Sequence, residues 1–381
     1  MMPDQFLVKG NFHEGNFGDD ALLVAVQLLL SKHSNRVVYD CECLAYTHDV
    51  ASGLMMADQS SLFSSDYIVY GGGTQFFSFK SSATAEVAQP SVASRFLKWI
   101  LDPSRLVASI KTRCRARKES ELKRLAIGIG YGPFGNDLEG KKAAMDLAES
   151  MDFTWVRDDA SEVFCREAGL DNYVRGADLC FSSEFLNYFR SDSPLILPAN
   201  HSRPKKLGII FRDWSHADIS ASYATCMRVA QRCRALGWEV DFYVFSKGDK
   251  LTLKYLEESG EQPNVWDAAT TSITEYSNQL ASCDSILTQR FHGAVFAILL
   301  NIPYTVITLD PKLEMVGDLL GDDAKLSPQQ SEEDYFMCVE RTMREASEIK
   351  KELEAVLIGQ QERSDSAAAA LLEYLSAQSH G

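Results

Sequence analysis

Residues 285–308 read SILTQRFHGAVFAILLNIPYTVIT, and the fold follows from how this stretch divides. Ser285 to Gln289 is a short run centred on Ile286 and Leu287 and followed by the β-branched Thr288, the pattern of a strand. From Ala294 to Leu300 every residue is apolar, which fits a buried helix. Asn301 and Pro303 then stop that helix, because proline has no N–H to give and its ring collides with the preceding turn. Tyr304 to Thr308 resumes as a strand. A strand, a helix and a strand in such close succession form a βαβ unit, and the two strands must then lie parallel. The same break divides the longest apolar run, Gly293 to Leu309, so that it cannot serve as one membrane-spanning helix.

The alternation extends outward along almost the whole chain. In the first half, strands are expected near Phe6–Lys9, Val37–Tyr39, Tyr67–Tyr70, Leu125–Ile129, Phe153–Val156 and Tyr173–Arg175. Helical patterns at Asp20–Lys32 and Asp158–Ala168 lie between them. Ser191 to Lys206 carries Pro194, Pro198 and Pro204 with several serines and no helical period, so it reads as an interdomain linker. A second unit follows, with strands at Leu207–Phe211, Val240–Phe245, Ser285–Gln289 and Tyr304–Thr308. Its helices are expected at Ala221–Leu236, Ile273–Ser282 and Ala294–Leu300. After Pro328 the sequence is almost purely helical, and such a tail is expected to pack back across the hinge. The fold class is therefore α/β, with two Rossmann-like, doubly wound domains at 1–195 and 205–330 and C-terminal helices over 331–381.

With 381 residues, 45% of them hydrophobic and 24% charged, the chain can bury two sizeable cores. Its net charge of −15 repels polynucleotides and argues against a nucleic-acid partner. The nine cysteines are scattered, and the closest pair, Cys41 and Cys43, has neither a zinc nor a redox spacing. The opening Met1-Met2-Pro3-Asp4-Gln5 has no basic region followed by an apolar core, so no signal peptide is expected and a cytoplasmic location is. One segment breaks the alternation. Around residues 80–124 the chain looks inserted, and from Arg95 to Arg124 it is strongly basic with Phe96, Leu97, Trp99, Ile100 and Leu101 at its start. Two readings stand side by side: a solvated helical excursion, and a peripheral element touching anionic lipid or a lipid-linked substrate at the inner face of the membrane.

Three glycine-rich loops follow predicted strands: Gly15 to Ala21, Tyr70 to Thr74 and Gly128 to Pro133. Glycines let backbone approach a ligand, and a helix start offers free N–H groups. The first loop lacks the Gly-x-Gly-x-x-Gly fingerprint, and Asp19 or Asp20 could equally be a plain helix N-cap. In the second unit, Arg290-Phe291-His292-Gly293 sits at a strand's carboxyl end and opens the apolar helix. Arginine offers a rigid fork to a carboxylate or phosphate, the helix start adds partial positive charge, and His292 can exchange a proton near neutral pH. Arg157, Arg212 and Lys312 occupy comparable strand ends. Together these cations suggest an anionic, phosphorylated substrate between the domains. No Asp-x-Asp pair is present to hold a divalent ion, so metal dependence is not expected.

Taken in order, Gly15-Asn16-Phe17-Gly18-Asp19-Asp20, Gly71-Gly72-Gly73, Gly128 to Pro133, Arg157-Asp158 with Ser161, Ala177-Asp178, Arg212, and Arg290-Phe291-His292-Gly293 with Pro303 resemble the polysaccharide pyruvyltransferase family over about residues 8 to 315. Asp20 stands where that family commonly has Glu. The resemblance implies a GT-B-like pair of Rossmann domains and transfer of pyruvate from phosphoenolpyruvate to two sugar hydroxyls as a cyclic ketal, with phosphoenolpyruvate as co-substrate and no further cofactor. It implies that Arg290, Phe291 and His292 hold the donor, with Arg212 or Arg157 assisting on its phosphate or carboxylate; Lys312 stands beside them as a further substrate-binding candidate from its place at a strand end. Asn16 and Asp19 would then face the acceptor sugar of a polysaccharide or lipid-linked precursor, and Gly18, Gly72 and Gly73 of the glycine-rich loops are further substrate-binding candidates. His292 is the candidate proton donor or phosphate ligand, and Asp19 the candidate base. Two other functions fit the same architecture: a glycosyltransferase using a nucleotide sugar, and a non-catalytic sugar-binding protein of a polysaccharide pathway.

Overall fold

In a computed structural model, residues 4–12, 15–40, 55–57, 60–76, 118, 121–191, 203–214 and 219–379 are described. The first sheet comprises β1 (Gln5–Lys9), β2 (Arg36–Tyr39), β3 (Met55–Met56), β4 (Tyr67–Phe76), β5 (Lys123–Tyr131), β6 (Phe153–Val156) and β7 (Tyr173–Arg175). Their order is β3-β2-β1-β4-β5-β6-β7, and every pair is parallel. The second sheet comprises β8 (Lys206–Phe211), β9 (Glu239–Val244), β10 (Asn264–Val265), β11 (Ser285–Thr288), β12 (Tyr304–Ile307) and β13 (Lys325–Leu326), in the order β10-β9-β8-β11-β12-β13, again all parallel. Both sheets reverse direction of growth beside their first strand, the doubly wound arrangement that opens a crevice at the strands' carboxyl ends.

Among the described residues the α-helices are α1 (Phe17–Leu30), α2 (Ser61–Ser64), α3 (Leu138–Glu149), α4 (Asp159–Glu167), α5 (Ser183–Ser191), α6 (Ser220–Ala235), α7 (Lys250–Glu258), α8 (Ile273–Ala281), α9 (Phe291–Leu299), α10 (Pro311–Gly317), α11 (Glu332–Arg344) and α12 (Ala346–Ser379). Helix α9 is the apolar run between the two strands of the βαβ unit. It is capped by Arg290 in extended conformation and stopped by Asn301, whose φ of 54° is the left-handed turn that commonly ends helices. Helix α12 runs back to the first sheet, where Leu371 and Leu375 are fully buried and Tyr374 packs on Phe153. Its Asp365 accepts hydrogen bonds from both the N–H and the hydroxyl of Ser183, at 2.8 and 2.6 Å.

The fold is the expected α/β class, GT-B-like, with a helical C-terminal tail. Helix α1 begins at Phe17 and α9 at Phe291, each three residues earlier than the sequence suggested. Strand β5 begins at Lys123, inside the stretch read as an insertion, while the rest of that basic segment falls outside the described residues apart from 118, 121 and 122. Most of the proline-rich linker also lies outside them. No described helix is long and apolar enough to cross a membrane.

Helix α1 starts inside the other half of the molecule. Phe17 is fully buried between Phe245, Trp266, Tyr276 and Phe296, with ring centroids 4.8, 5.1, 4.9 and 4.5 Å away. Its N–H bonds to the Phe245 carbonyl at 2.9 Å, and the Trp266 indole donates to the buried Asp20 carboxylate at 2.6 Å. The phenylalanine of the first glycine motif is thus a fastener between the two sheets, and Asp20 receives a hydrogen bond across the same junction.

Candidate active site

The carboxyl ends of β1, β4 and β6 face those of β8, β11 and β12 across a cavity of about 210 Å³, lined by Asn11, Asn16, Asp19, Gly73, Arg157, Arg212, Arg290, Phe291, His292 and Lys312. Nine of these ten are site residues expected from the sequence, scattered there from position 16 to position 312; Asn11 is the addition. Parallel strands explain the convergence, since each βα loop emerges at the same edge.

Each arginine is held from behind by a carboxylate. Arg212 Nη1 donates to Asp310 Oδ2 at 2.9 Å, Arg157 Nη1 meets Asp178 Oδ2 at 3.3 Å, and Arg290 Nη2 pairs with Asp249 Oδ2. Aromatic faces support two of them: Arg157 lies 4.4 Å above Phe291 and Arg212 lies 4.3 Å above Trp214. Fixed guanidinium planes keep their remaining donors in place. The Nε atoms of Arg212 and Arg290 are buried with no hydrogen-bond partner among the described residues. Burial, and then the charge of Arg290, push Arg212 below its ordinary pKa. Lys312, on the first turn of α10, is lowered as well. Burial, with the positive charges of Arg157 and Arg212, brings its ammonium down to about 8 against the opposing pull of Asp310 and Asp19. Cations crowded enough to lower Arg212 and Lys312 form a site that an anion relieves.

His292 lies on the first turn of α9, its Nε2 buried 3.7 Å from Asp178 Oδ2, an ion-pair distance too long for a hydrogen bond. Burial alone would push the Asp178 carboxyl up; the His292 imidazole, the Arg157 guanidinium and the Cys180 N–H outweigh it and hold the group at about 2. Asp178, Cys180 and His292 are the described residues whose ligand atoms cluster closely enough to hold a metal ion. Arg157 already supplies the cation to the Asp178 oxygen concerned, and burial followed by the Asp178 charge raises the Cys180 thiol well above its ordinary value.

Three expectations change. The N-cap of α1 is Asn16, whose Oδ1 accepts from Gly18 N at 3.1 Å, in place of Asp19 or Asp20. Gly18 is buried and makes room for the histidine: a Cβ there would lie 2.1 Å from His292 Nδ1. Gly72 does not line the cavity; its φ of +67°, and the Leu22 side chain that a Cβ there would crowd, give it a backbone role, while the next residue, Gly73 at φ +78°, reaches the cavity wall. Of the counter-charges, Asp178 was singled out in the sequence only as part of the family-like Ala177-Asp178 element, with no role assigned, and Asp249 and Asp310 were not among the expected site residues. Asp310 was accessible as the aspartate before Pro311, an N-cap signal at a strand end, but nothing local in Asp249 tells which arginine it faces.

The fold is shared with several solved structures. Anabaena HepE, solved with UDP-glucose, superposes with a TM-score of 0.55 at 12% identity, covering 98% of this chain and 99% of that one. S. aureus MnaA, solved with UDP, gives 0.56 at 9% identity, covering 100% and 97%. The wall teichoic acid polymerase TagF gives 0.53 at 10% identity, covering 100% and 91%. No curated protein matches the chain in sequence. Asn16, Gly18, Asp19, Arg157, Asp178, Arg212 and the Arg290-Phe291-His292 element all fall within residues 16–311, the part matched by one family model, and on that match the chain belongs to the polysaccharide pyruvyl transferase family.

Proposed function

We propose that the chain transfers the pyruvyl group of phosphoenolpyruvate to two hydroxyls of a sugar, in a polysaccharide or lipid-linked precursor, forming a cyclic ketal. The observation that carries this reading is the gathering of Arg157, Arg212, Arg290, Lys312 and His292 around one small cavity. Phosphoenolpyruvate carries a carboxylate and a phosphate, and four cations match that charge. At about 210 Å³ the cavity falls below the roughly 300–1,000 Å³ typical of sites for drug-sized ligands, which suits a compact anion.

The chemistry assigns work to the remaining groups. The enol methylene takes up a proton, leaving an electron-poor carbon that a first sugar hydroxyl attacks. The C–O bond to phosphate then breaks, and a second hydroxyl closes the ring. Of the two hydroxyl protons released, one balances the methyl group and the other leaves with phosphate. His292, with its Nε2 3.7 Å from the Asp178 carboxylate, is the candidate acid. Asp19, on the opposite wall, is the candidate base. The guanidinium groups neutralise the phosphate as it departs.

The test is release of inorganic phosphate from phosphoenolpyruvate, measured with and without acceptor. Acceptor-dependent release supports the reading. A thermal shift with UDP-glucose and none with phosphoenolpyruvate would replace it by glycosyl transfer, the alternative that the fold shared with HepE keeps open. His292→Ala should lose most turnover, and a near wild-type rate would remove His292 from the chemistry.

A further inference from the structure

A second cavity, of about 400 Å³, adjoins the anion pocket. The two share a wall, because Arg157 and Phe291, stacked 4.4 Å apart, line both. From that wall the second cavity reaches Gln360 and Arg363 on α12. Six of its fifteen lining residues lie beyond position 311, where the family match ends.

Its chemistry contrasts with that of its neighbour. The anion pocket is lined by four cations and one carboxylate, Asp19, with the counter-charges Asp178, Asp249 and Asp310 set behind its arginines. The second cavity sets three arginines against four aspartates, leaving it close to neutral and unsuited to a donor with two anionic groups. Phe181, Val295, Met315 and Leu319 give it an apolar floor, and Asp318 and Gln360 stand among its polar groups. An apolar surface bordered by carboxylates and an amide complements a pyranose, which has a face of C–H bonds and an edge of hydroxyl donors.

We propose that this cavity is the acceptor subsite and that it takes an uncharged pyranose, an inference that rests on the pyruvyl-transfer reading. The sugar would lie against the Phe291 side of the shared wall, with the hydroxyls to be bridged entering the anion pocket past Arg157. Gln360, from the C-terminal helix, becomes a residue that determines specificity.

Saturation-transfer NMR of the full chain with the methyl glycosides of galactose, glucose and N-acetylmannosamine tests this directly. Wild type is expected to transfer saturation to at least one glycoside, with or without phosphoenolpyruvate. Met315→Trp, which fills the cavity, and Gln360→Ala, a milder change at a half-buried position, should each weaken that signal at least tenfold while phosphoenolpyruvate still binds. No signal for any of the three glycosides, or a signal unchanged in both variants, overturns the proposal. Turnover with an unaltered acceptor KM in both variants sinks the subsite and leaves pyruvyl transfer standing. Cavity-dependent glycoside binding without phosphate release from phosphoenolpyruvate does the reverse.

Discussion

Replacing Lys312 by methionine should stabilise the unliganded protein while weakening its hold on the donor. The ammonium's fall from an ordinary 10.5 to about 8 corresponds to a folded-state penalty on the charged form of roughly 3 kcal/mol, at about 1.4 kcal/mol per tenfold change. The side chain keeps some contact with solvent, so about 2 kcal/mol is the working figure. Between pH 8 and 10.5 the folded chain binds fewer protons than the unfolded chain, so wild-type stability rises with pH through that window. The penalty is full below pH 8 and absent above 10.5. Methionine, of similar length and without charge, removes it. Urea unfolding of both proteins near neutral pH and again near the top of the window measures the difference, with the slope m confirming that the same surface is exposed. The variant should lead by about 2 kcal/mol at neutral pH, and the lead should close as pH rises. Its affinity for phosphoenolpyruvate should fall by about 10- to 100-fold, the loss of one charge-assisted contact. A variant no more stable than wild type at neutral pH, or an equal lead at both, refutes the reasoning.

Gly18→Ala should cost about 100-fold in turnover, because the new Cβ forces the His292 ring to move and misplacement of that order has such an effect; an unchanged kcat would show that the ring's position is unimportant. Asp178→Asn removes the counter-charge shared by Arg157 and His292 while Asp158 stays 3.3 Å from Arg157, and should destabilise the fold by about 3 kcal/mol at neutral pH. Because the Asp178 carboxyl sits at about 2, its contribution persists above the ordinary carboxylate range and fades only as pH falls through that value, so the gap between variant and wild type should narrow in acid unfolding titrations. Trp266→Phe removes the donor to buried Asp20 and should lower stability by about 1.5–3 kcal/mol in chemical denaturation, with little effect on donor binding.

Strands such as Phe153–Val156 and Tyr304–Ile307 were legible because a short apolar run between two helical patterns suits a buried parallel strand and little else. The two-residue strands Met55–Met56, Asn264–Val265 and Lys325–Leu326 were not, since a pair of residues carries no period. The anion site was legible in outline because arginines at strand ends converge whenever the strands are parallel. Its fine structure was not. Asp249 faces Arg290 across 41 positions and Asp178 faces His292 across 114, relations that depend on how loops pack. Gly18 illustrates the same limit, for its reason is a ring that arrives from the other sheet.

The burial of Phe17 among aromatic rings of the second sheet has a consequence for how substrate is admitted. Swinging the two halves apart would drag that ring out of its socket and strip Asp20 of the Trp266 hydrogen bond, so the distance between Arg157 and Arg212 is set before any ligand arrives. A donor that enters such a preset gap loses its own freedom and need not order the protein around it, which favours tight binding of one small anion over accommodation of many. Selectivity at this cleft then resides in a fixed aperture, sized by a phenylalanine that never touches the substrate.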